Sequence, residues 1–326
     1  MRAAPMGEAI LTGSLSARRD LLAWVGDRGV YVALVLLVAF NLVFTANFAT
    51  VGNLRLQLIQ VVPVAIVALG MALVIGTEGI DLSVGSTMAI AAALLPLYLG
   101  YGPWVAIPIA LLAGGAVGLV NGGLVAFVGV QPIVATLGLL VAGRGIALVF
   151  AQGRLTELFD PTLTAIGTDR IAGIPITVLV AAAVAGVVGL VVRRTTFGRR
   201  VVAIGGNRGA SVLAGLPVRR TLVVVYVVSG LLAALAGILD TARLSAADPS
   251  FVGLLIELSA ITAVVVGGTP LSGGRVRILG TLAGALLMQL ISATLIKHDL
   301  PDSTARMIAA AIIVAAVYLQ RTRVAA

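Results

Sequence analysis

The sequence predicts an all-α, polytopic membrane protein with about ten transmembrane helices. Three observations carry that reading. First, 60% of the 326 residues are apolar and only 11% are charged, less than half of the roughly 25% usual in a soluble domain. So few charges cannot coat a folded monomer of this size. Second, apolar runs recur along the whole chain, and its length divides into about ten spans of roughly 20 residues with short connections. Third, two segments resemble each other. VIGTEGIDLSVGSTMAIAAALL from Val74 and VVGGTPLSGGRVRILGTLAGALL from Val265 each join an apolar run to a helix of small residues through a break rich in Gly, Ser and Thr. Composition also excludes a disordered chain and, with no Cys, a disulfide-stapled one.

Residues 1–28, with Arg2, Arg18, Arg19 and Arg28, read as a short basic cytoplasmic segment. The first apolar core, about Val30 to Phe48, is long enough to stay as an anchor and does not resemble a cleaved signal peptide. Further runs fall at about 56–76, 84–100, 103–128, 132–151, 172–192, 221–243, 255–268, 278–297 and 305–320. Residues 29–326 therefore make one transmembrane domain. The 255–268 run is short for a span unless the Gly-rich segment after it also lies within the membrane. With the N-terminus inside, inner segments hold fifteen basic residues and outer segments five. That bias follows the positive-inside rule and places both termini in the cytoplasm. It also accounts for the net charge of +9 without nucleic acid, because the arginines sit between apolar runs and not along one soluble face.

Paired broken segments mark transporters built from internal repeats. Non-helical backbone at membrane depth is tolerated only where protein or a water-filled cavity satisfies it. On this reading Gly79, Ser83, Gly85 and Ser86 in the first segment lie near a path. So do Gly267, Gly268, Ser272, Gly273 and Gly274 in the second. Two tight loops of small residues are the plainer alternative. No phosphate-binding GxxxxGK[ST] loop is present, and the one lysine, Lys297, precludes it. GxSxG and HExxH motifs are absent, and His298 alone makes no histidine metal site. Energy for transport must come from a partner or an ion gradient.

A charge at the bilayer centre costs about 2.5–3.5 kcal/mol on insertion scales, so each intramembrane polar residue is a functional candidate. Glu78, Asp81, Asn121, Arg144 and Glu257 are the ones of interest. Asp240 and Arg243, three apart, are placed to pair on one helix face. Asp81 is placed to cap a helix beginning near Val84. Arg144 needs a partner that the sequence does not name. The basic loop 193–220 is too polar to span. Its middle, about Asn207 to Leu213, reads as a short amphipathic helix broken by Gly215 and Pro217. Partner docking and a solvated positive-inside loop fit it equally.

Several stretches resemble the ribose-type permeases of bacterial ATP-binding-cassette (ABC) importers. They are GIDLSVGS (Gly79 to Ser86), FGRRVVAIGGN (Phe197 to Asn207), VSGLLAALAGIL (Val228 to Leu239) and AVVVGGTPLSGG (Ala263 to Gly274). The resemblance runs from about Val51 to Gln320 with the motifs in family order. Within the family, QPIVATLGLLVAGRGIALV (Gln131 to Val149) is most similar to galactofuranose-type permeases. The resemblance implies a membrane subunit that binds no cofactor itself. A second permease subunit, identical or a sister, would complete the pathway in the bacterial cytoplasmic membrane. Cytoplasmic ATPase subunits would carry ATP and Mg, and an extracytoplasmic binding protein would deliver a monosaccharide. It also implies that 197–217 is the ATPase-coupling region, with Gly198, Arg199, Gly205, Gly206, Asn207, Ala210, Leu213 and Gly215 as its residues. Two departures stand out: Arg208 and Gly209 follow Asn207 where many relatives are acidic, and Ser259 stands where many carry Asp. The alternatives are an ion-coupled secondary transporter using Glu78, Asp81 or Glu257, and a related permease for nucleosides, amino acids or furanone signals.

Overall fold

A computed structural model describes residues 28–301 and isolated positions between 303 and 314. Helices dominate, because in lipid only internally bonded backbone survives. In chain order they are α1 (Arg28–Phe44), α2 (Val51–Gly76), α3 (Val84–Tyr98), α4 (Pro103–Gly123), α5 (Pro132–Phe150), α6 (Pro161–Thr168) and α7 (Ile176–Arg194). There follow α8 (Thr196–Gly206), α9 (Arg208–Leu213), α10 (Val218–Leu244), α11 (Ile256–Val266) and α12 (Ile278–Lys297). Among the described residues strands are limited to two residue-pair ladders, β1 (Thr156–Glu157) with β4 (Ala246–Ala247), and β2 (Arg170–Ile171) with β3 (Ile174–Pro175).

The expected count of about ten spans is not reached among the described residues. Seven helices are long and apolar enough to cross a membrane: α2, α3 with its 3₁₀ extension to Tyr101, α4 with a π-helical turn to Val128, α5, α7, α10 and α12. Helices α1 and α11 are shorter, and of the 305–320 run only isolated positions are described. The expected cytoplasmic segment before Arg28 lies outside the described residues.

Helices α2 and α10 form the centre. Residues Ala65–Gly76 of α2 are almost wholly buried, and α10 packs on α2, α3 and α4. The α4–α10 seam is closed by small residues four apart. A Cβ on Gly114 would strike Ala234 and the Gly230 carbonyl, one on Gly118 the backbone of Tyr226 and Val227, and one on Gly122 the backbone of Val223. Close backbone approach of this kind drives helix association where no hydrophobic force exists between helices. Polar side chains fasten the rim. Asn41 of α1 bonds Thr294 of α12 at 2.8 Å, and Gln289 of α12 bonds Gln60 of α2 at 2.7 Å.

Two helices start partway across the bundle. Asp81, just before α3, meets Ser229 of α10, which lies roughly 16 Å along that helix from Val218. Helix α3 therefore begins near mid-span. Gly85, at its start, touches the Gly253 carbonyl and Glu257, so α11 begins at the same depth. The chain returns from the far end of α10 through residues 248–255 to reach it. The non-helical stretch that explains the short run at 255–268 thus precedes α11, and the Gly-rich segment after it lies instead at the α8 end.

The α4–α10 seam gives a stability prediction. Gly118→Ala should destabilise the protein by about 1–3 kcal/mol through overpacking. Gly138→Ala on α5, where nothing lies within 4 Å, should be neutral. Thermal unfolding of both variants in detergent checks the contrast.

Candidate functional site

The residues singled out in the sequence gather into three groups. The first lies where α8 reaches the ends of α2 and α11. Both helices stop with the same backbone geometry. Glu78 N–H bonds the Ile75 carbonyl at 2.9 Å and Gly79 N–H bonds Val74 at 3.0 Å, with Glu78 left-handed at φ 67°. In the second break Gly268 N–H bonds Val265 at 2.9 Å and Thr269 N–H bonds Val264 at 3.1 Å, with Gly268 at φ 87°. Glu78 and Gly268 are therefore counterparts, one residue out of step with the alignment of the two segments at Val74 and Val265. Gly268 takes this conformation freely; Glu78 takes it at a cost of about 1–2 kcal/mol. Glu78 is exposed and lies at this end of the bundle, not at mid-span.

The two breaks touch. Gly274 N–H bonds the Gly76 carbonyl at 3.2 Å, and Gly273 lies against the Glu78 amide. Gly205 of α8 inserts between them, so that a Cβ there would overlap both the Gly76 carbonyl and the Gly274 amide. Val201, one turn of α8 back, and Ile204, the residue before, are fully buried. Gly267 faces Gly280 across the α11–α12 contact, while Ser272 is exposed at the loop tip.

The basic loop 193–220 is thus two helices, not one. The sequence-based expectation found α9 and missed α8. Thr195 ends α7 and caps α8, accepting from Gly198 N–H at 3.4 Å. Gly198 lies so close to the Val192 backbone that no side chain fits. Asn207 caps α9 by accepting from Ala210 N–H at 2.8 Å, and Gly215, at φ 74°, ends it. Arg199, Gly206, Asn207, Arg208, Ala210, Val212 and Leu213 are exposed. Helix α9 therefore presents an exposed face, with Ser211 buried on its other side.

The second group is a buried hydrogen-bond network in the first break. Asp81 Oδ1 accepts from Ser83 N–H at 3.0 Å and Ser83 Oγ at 2.6 Å, while Oδ2 accepts from Ser229 Oγ at 2.8 Å. Ser83 Oγ accepts in turn from Asn121 Nδ2 of α4 at 2.8 Å. Asp81 does not cap α3, as spacing allowed. Ser83 holds the N-cap position and its own side chain makes no capping bond. Asp81 instead joins the break to α10, and through Ser83 to α4. Ser86 Oγ bonds the Leu139 carbonyl at 3.0 Å, and Thr136 Oγ1 bonds Ile80 at 3.2 Å, so α5 is tied in as well. The hydroxyl of Tyr226 reaches Gly79 from α10. Ser229 and Tyr226 were not singled out, although Ser229 lies in the VSGLLAALAGIL stretch as a lone hydroxyl in an apolar helix.

The third group is Arg144 with Glu257. Arg144 Nη1 donates to the carbonyls of Pro249 at 2.6 Å and Val252 at 2.8 Å. Those carbonyls belong to the returning stretch before α11 and are the partner the sequence left unnamed. Asp240 and Arg243 pair locally at 2.7 Å as spacing indicates. Among the described residues no group of His, Cys, Asp and Glu is arranged to hold a metal ion.

Asp81 should act as a single bonded unit with Ser229. Asp81→Ala should cost about 1–3 kcal/mol, the penalty for stranding buried donors. Ser229→Ala should cost less, and the double variant should fall short of the sum. A double-mutant cycle by thermal unfolding reads the coupling.

Comparison with known proteins places the chain. Residues 53–317 match the family model described as branched-chain amino acid transport system / permease component. A ribose import permease protein of Haemophilus influenzae is 39% identical over 87% of this chain and 89% of its own. A fructose import permease protein of Bifidobacterium longum is 39% identical, covering 81% and 79%. A galactofuranose transporter permease protein of Escherichia coli is 39% identical, covering 80% and 77%. No solved structure matches the chain.

Proposed function

The chain belongs to the transport-system permease family, with ribose-type permeases among its relatives, and from that premise we propose that it is the membrane subunit of an ABC importer for a monosaccharide. The relatives named for ribose, fructose and galactofuranose support the sugar. Which monosaccharide is carried is a property of the binding protein that delivers it. The partners on this reading are an ATPase pair holding ATP and Mg, a second permease subunit, and an extracytoplasmic binding protein. The chain itself carries out no catalysis.

Orientation follows from charge. Arg193, Arg194, Arg199, Arg208, Arg219 and Arg220 are all exposed around α8 and α9, so this end faces the cytoplasm. The even number of spans expected from the sequence would put both termini on that side as well. The observation that carries the mechanism is the seat of α8. Leu213, 91% exposed, and its exposed neighbours on α9 form the surface offered to the ATPase. Gly205, eight residues back, presses on the ends of α2 and of the second break together. Closure of the ATPase pair moves α9. Helix α8 carries that movement to both breaks at once, because no side chain cushions the contact. The breaks let α3 and α12 change their angle to α2 and α11, exposing the path first to one side and then to the other. An ion-coupled mechanism finds less support: Glu78 is exposed, and both Asp81 oxygens are held by donors.

Two variants separate docking from transmission. Leu213→Asp should weaken capture of the ATPase subunits by about ten-fold or more, as expected on losing an exposed anchor. Gly205→Val should leave capture intact and abolish ATP-driven uptake in vesicles. Gly186→Val on α7, outside the coupling region and at a position with nothing within 4 Å, is the control and should transport normally.

A further inference from the structure

Small residues close the seam between α4 and α10, yet the same residue types leave a hollow between α7 and α12. Ala182, Ala185 and Gly189 of α7 face Ile278, Leu279 and Leu282 of α12 across a cavity of about 540 Å³. A Cβ on Gly189 would meet nothing nearer than the Ile278 side chain, at 3.8 Å. Ala182 and Leu279 are exposed, so among the described residues the hollow opens on the outside of the bundle. It is about one leaflet deep. Ala182 lies 12 residues from Arg194, roughly 18 Å along α7, and half of a hydrocarbon core is about 15 Å. Arg193 and Arg194, on the last turn of α7, line its mouth at the cytoplasmic end. Both are exposed, and neither has a carboxylate within 4.0 Å among the described residues. The dipole of α7 favours cations on its last turn, but that attraction uses none of their N–H donors.

An apolar slot of this depth, with two such guanidinium groups at its mouth, matches a lipid in shape and charge. We propose that it seats an anionic phospholipid of the cytoplasmic leaflet. One acyl chain lies along Ala185 and Gly189 against Ile278 and Leu282. It supplies the van der Waals contacts that an unfilled slot forgoes. The phosphate accepts from Arg193 and Arg194, a pairing that suits guanidinium geometry. Basic pockets between membrane helices on the cytoplasmic side take anionic headgroups in this way. A zwitterionic lipid brings its phosphate together with an ammonium, which the two arginines repel. Two other occupants fit less well. A second copy seated here about a two-fold axis would set its own Arg193 and Arg194 against these at the same depth. The chain's own run 305–320 is followed by Arg321 and Arg323, which would add like charge. The site uses the orientation argued above and is independent of the solute carried.

The test is lipid retention by the purified chain in detergent, read by native mass spectrometry. Phosphatidylglycerol and phosphatidylcholine with the same acyl chains are the probes. The chain should retain one phosphatidylglycerol with a preference of about ten-fold or more, the worth of two arginines beside an anionic headgroup. Arg193→Gln/Arg194→Gln should erase that preference. Arg219→Gln/Arg220→Gln removes two exposed arginines on the first turn of α10 that do not line the slot, and should keep it. Gly189→Leu fills the slot and leaves both arginines. It should lower retention of either lipid by about ten-fold, as displacing about two buried methylenes would. Equal retention of the two lipids by the wild-type chain overturns the proposal, as does equal loss of preference from the two arginine pairs. A dimer that Gly189→Leu converts to monomer assigns the slot to a second copy. Unchanged lipid retention by Gly189→Leu with a lowered unfolding temperature assigns it to the run 305–320. Either result also overturns the proposal. Failure of the permease reading looks different: the complete importer would then take up sugar independently of ATP, whichever lipid the chain retains.

Discussion

Three stretches of backbone meet without intervening side chains where Gly76, Gly205 and Gly274 converge. Much of the molecule is organised around that contact. A methyl group at Gly205 has no room, and the glycine of the second break is held by a backbone hydrogen bond to the end of α2. Because glycine surfaces touch directly, displacement of one element is displacement of the others. Packed interiors pass on small shifts in this way because they resist compression. The same contact explains why two breaks far apart in sequence end in the same capping geometry: each must present bare backbone to a common neighbour.

Halfway across, a different chemistry takes over. The chain there is not helical at 79–83 or 248–255, and each stretch needs its polar groups satisfied. Asp81 does this for the first by gathering two serine hydroxyls and an amide, with Asn121 behind them. Arg144 does it for the second by holding two carbonyls. An acid serves the start of α3, where amide hydrogens are free, and a base serves the carbonyls before α11. Asp81 and Arg144 are therefore placed where helix is interrupted.

How much of this could be read from sequence depends on the range of each interaction. Helices α2, α4, α5, α7, α10 and α12 were legible because about 20 apolar residues in a row have few other uses. The Asp240–Arg243 pair was legible because its partners are three residues apart. Helix α8 was not, because Thr196–Gly206 opens with Thr196, Arg199 and Arg200 and reads as a basic loop. Only its contact with Gly76 and Gly274 makes Val201 and Ile204 interior. The stretch before α11 was misplaced for a related reason. Depth in the membrane is set by neighbours such as Gly85 and Arg144, not by local hydropathy. Ser229 was overlooked because a single hydroxyl in an apolar helix usually bonds its own turn.

The glycine seam between α4 and α10 has a consequence of another kind. Gly114, Gly118 and Gly122 interlock with α10 so closely that a slide of less than one four-residue repeat would drive backbone into backbone. The glycines of α7, Gly186 and Gly189, by contrast, meet no neighbouring backbone within 4 Å. The α4–α10 pair thus behaves as a chassis. The protein therefore carries its own fixed frame of reference. When another conformation is captured, superposing it on α4 and α10 will leave motion as the remainder.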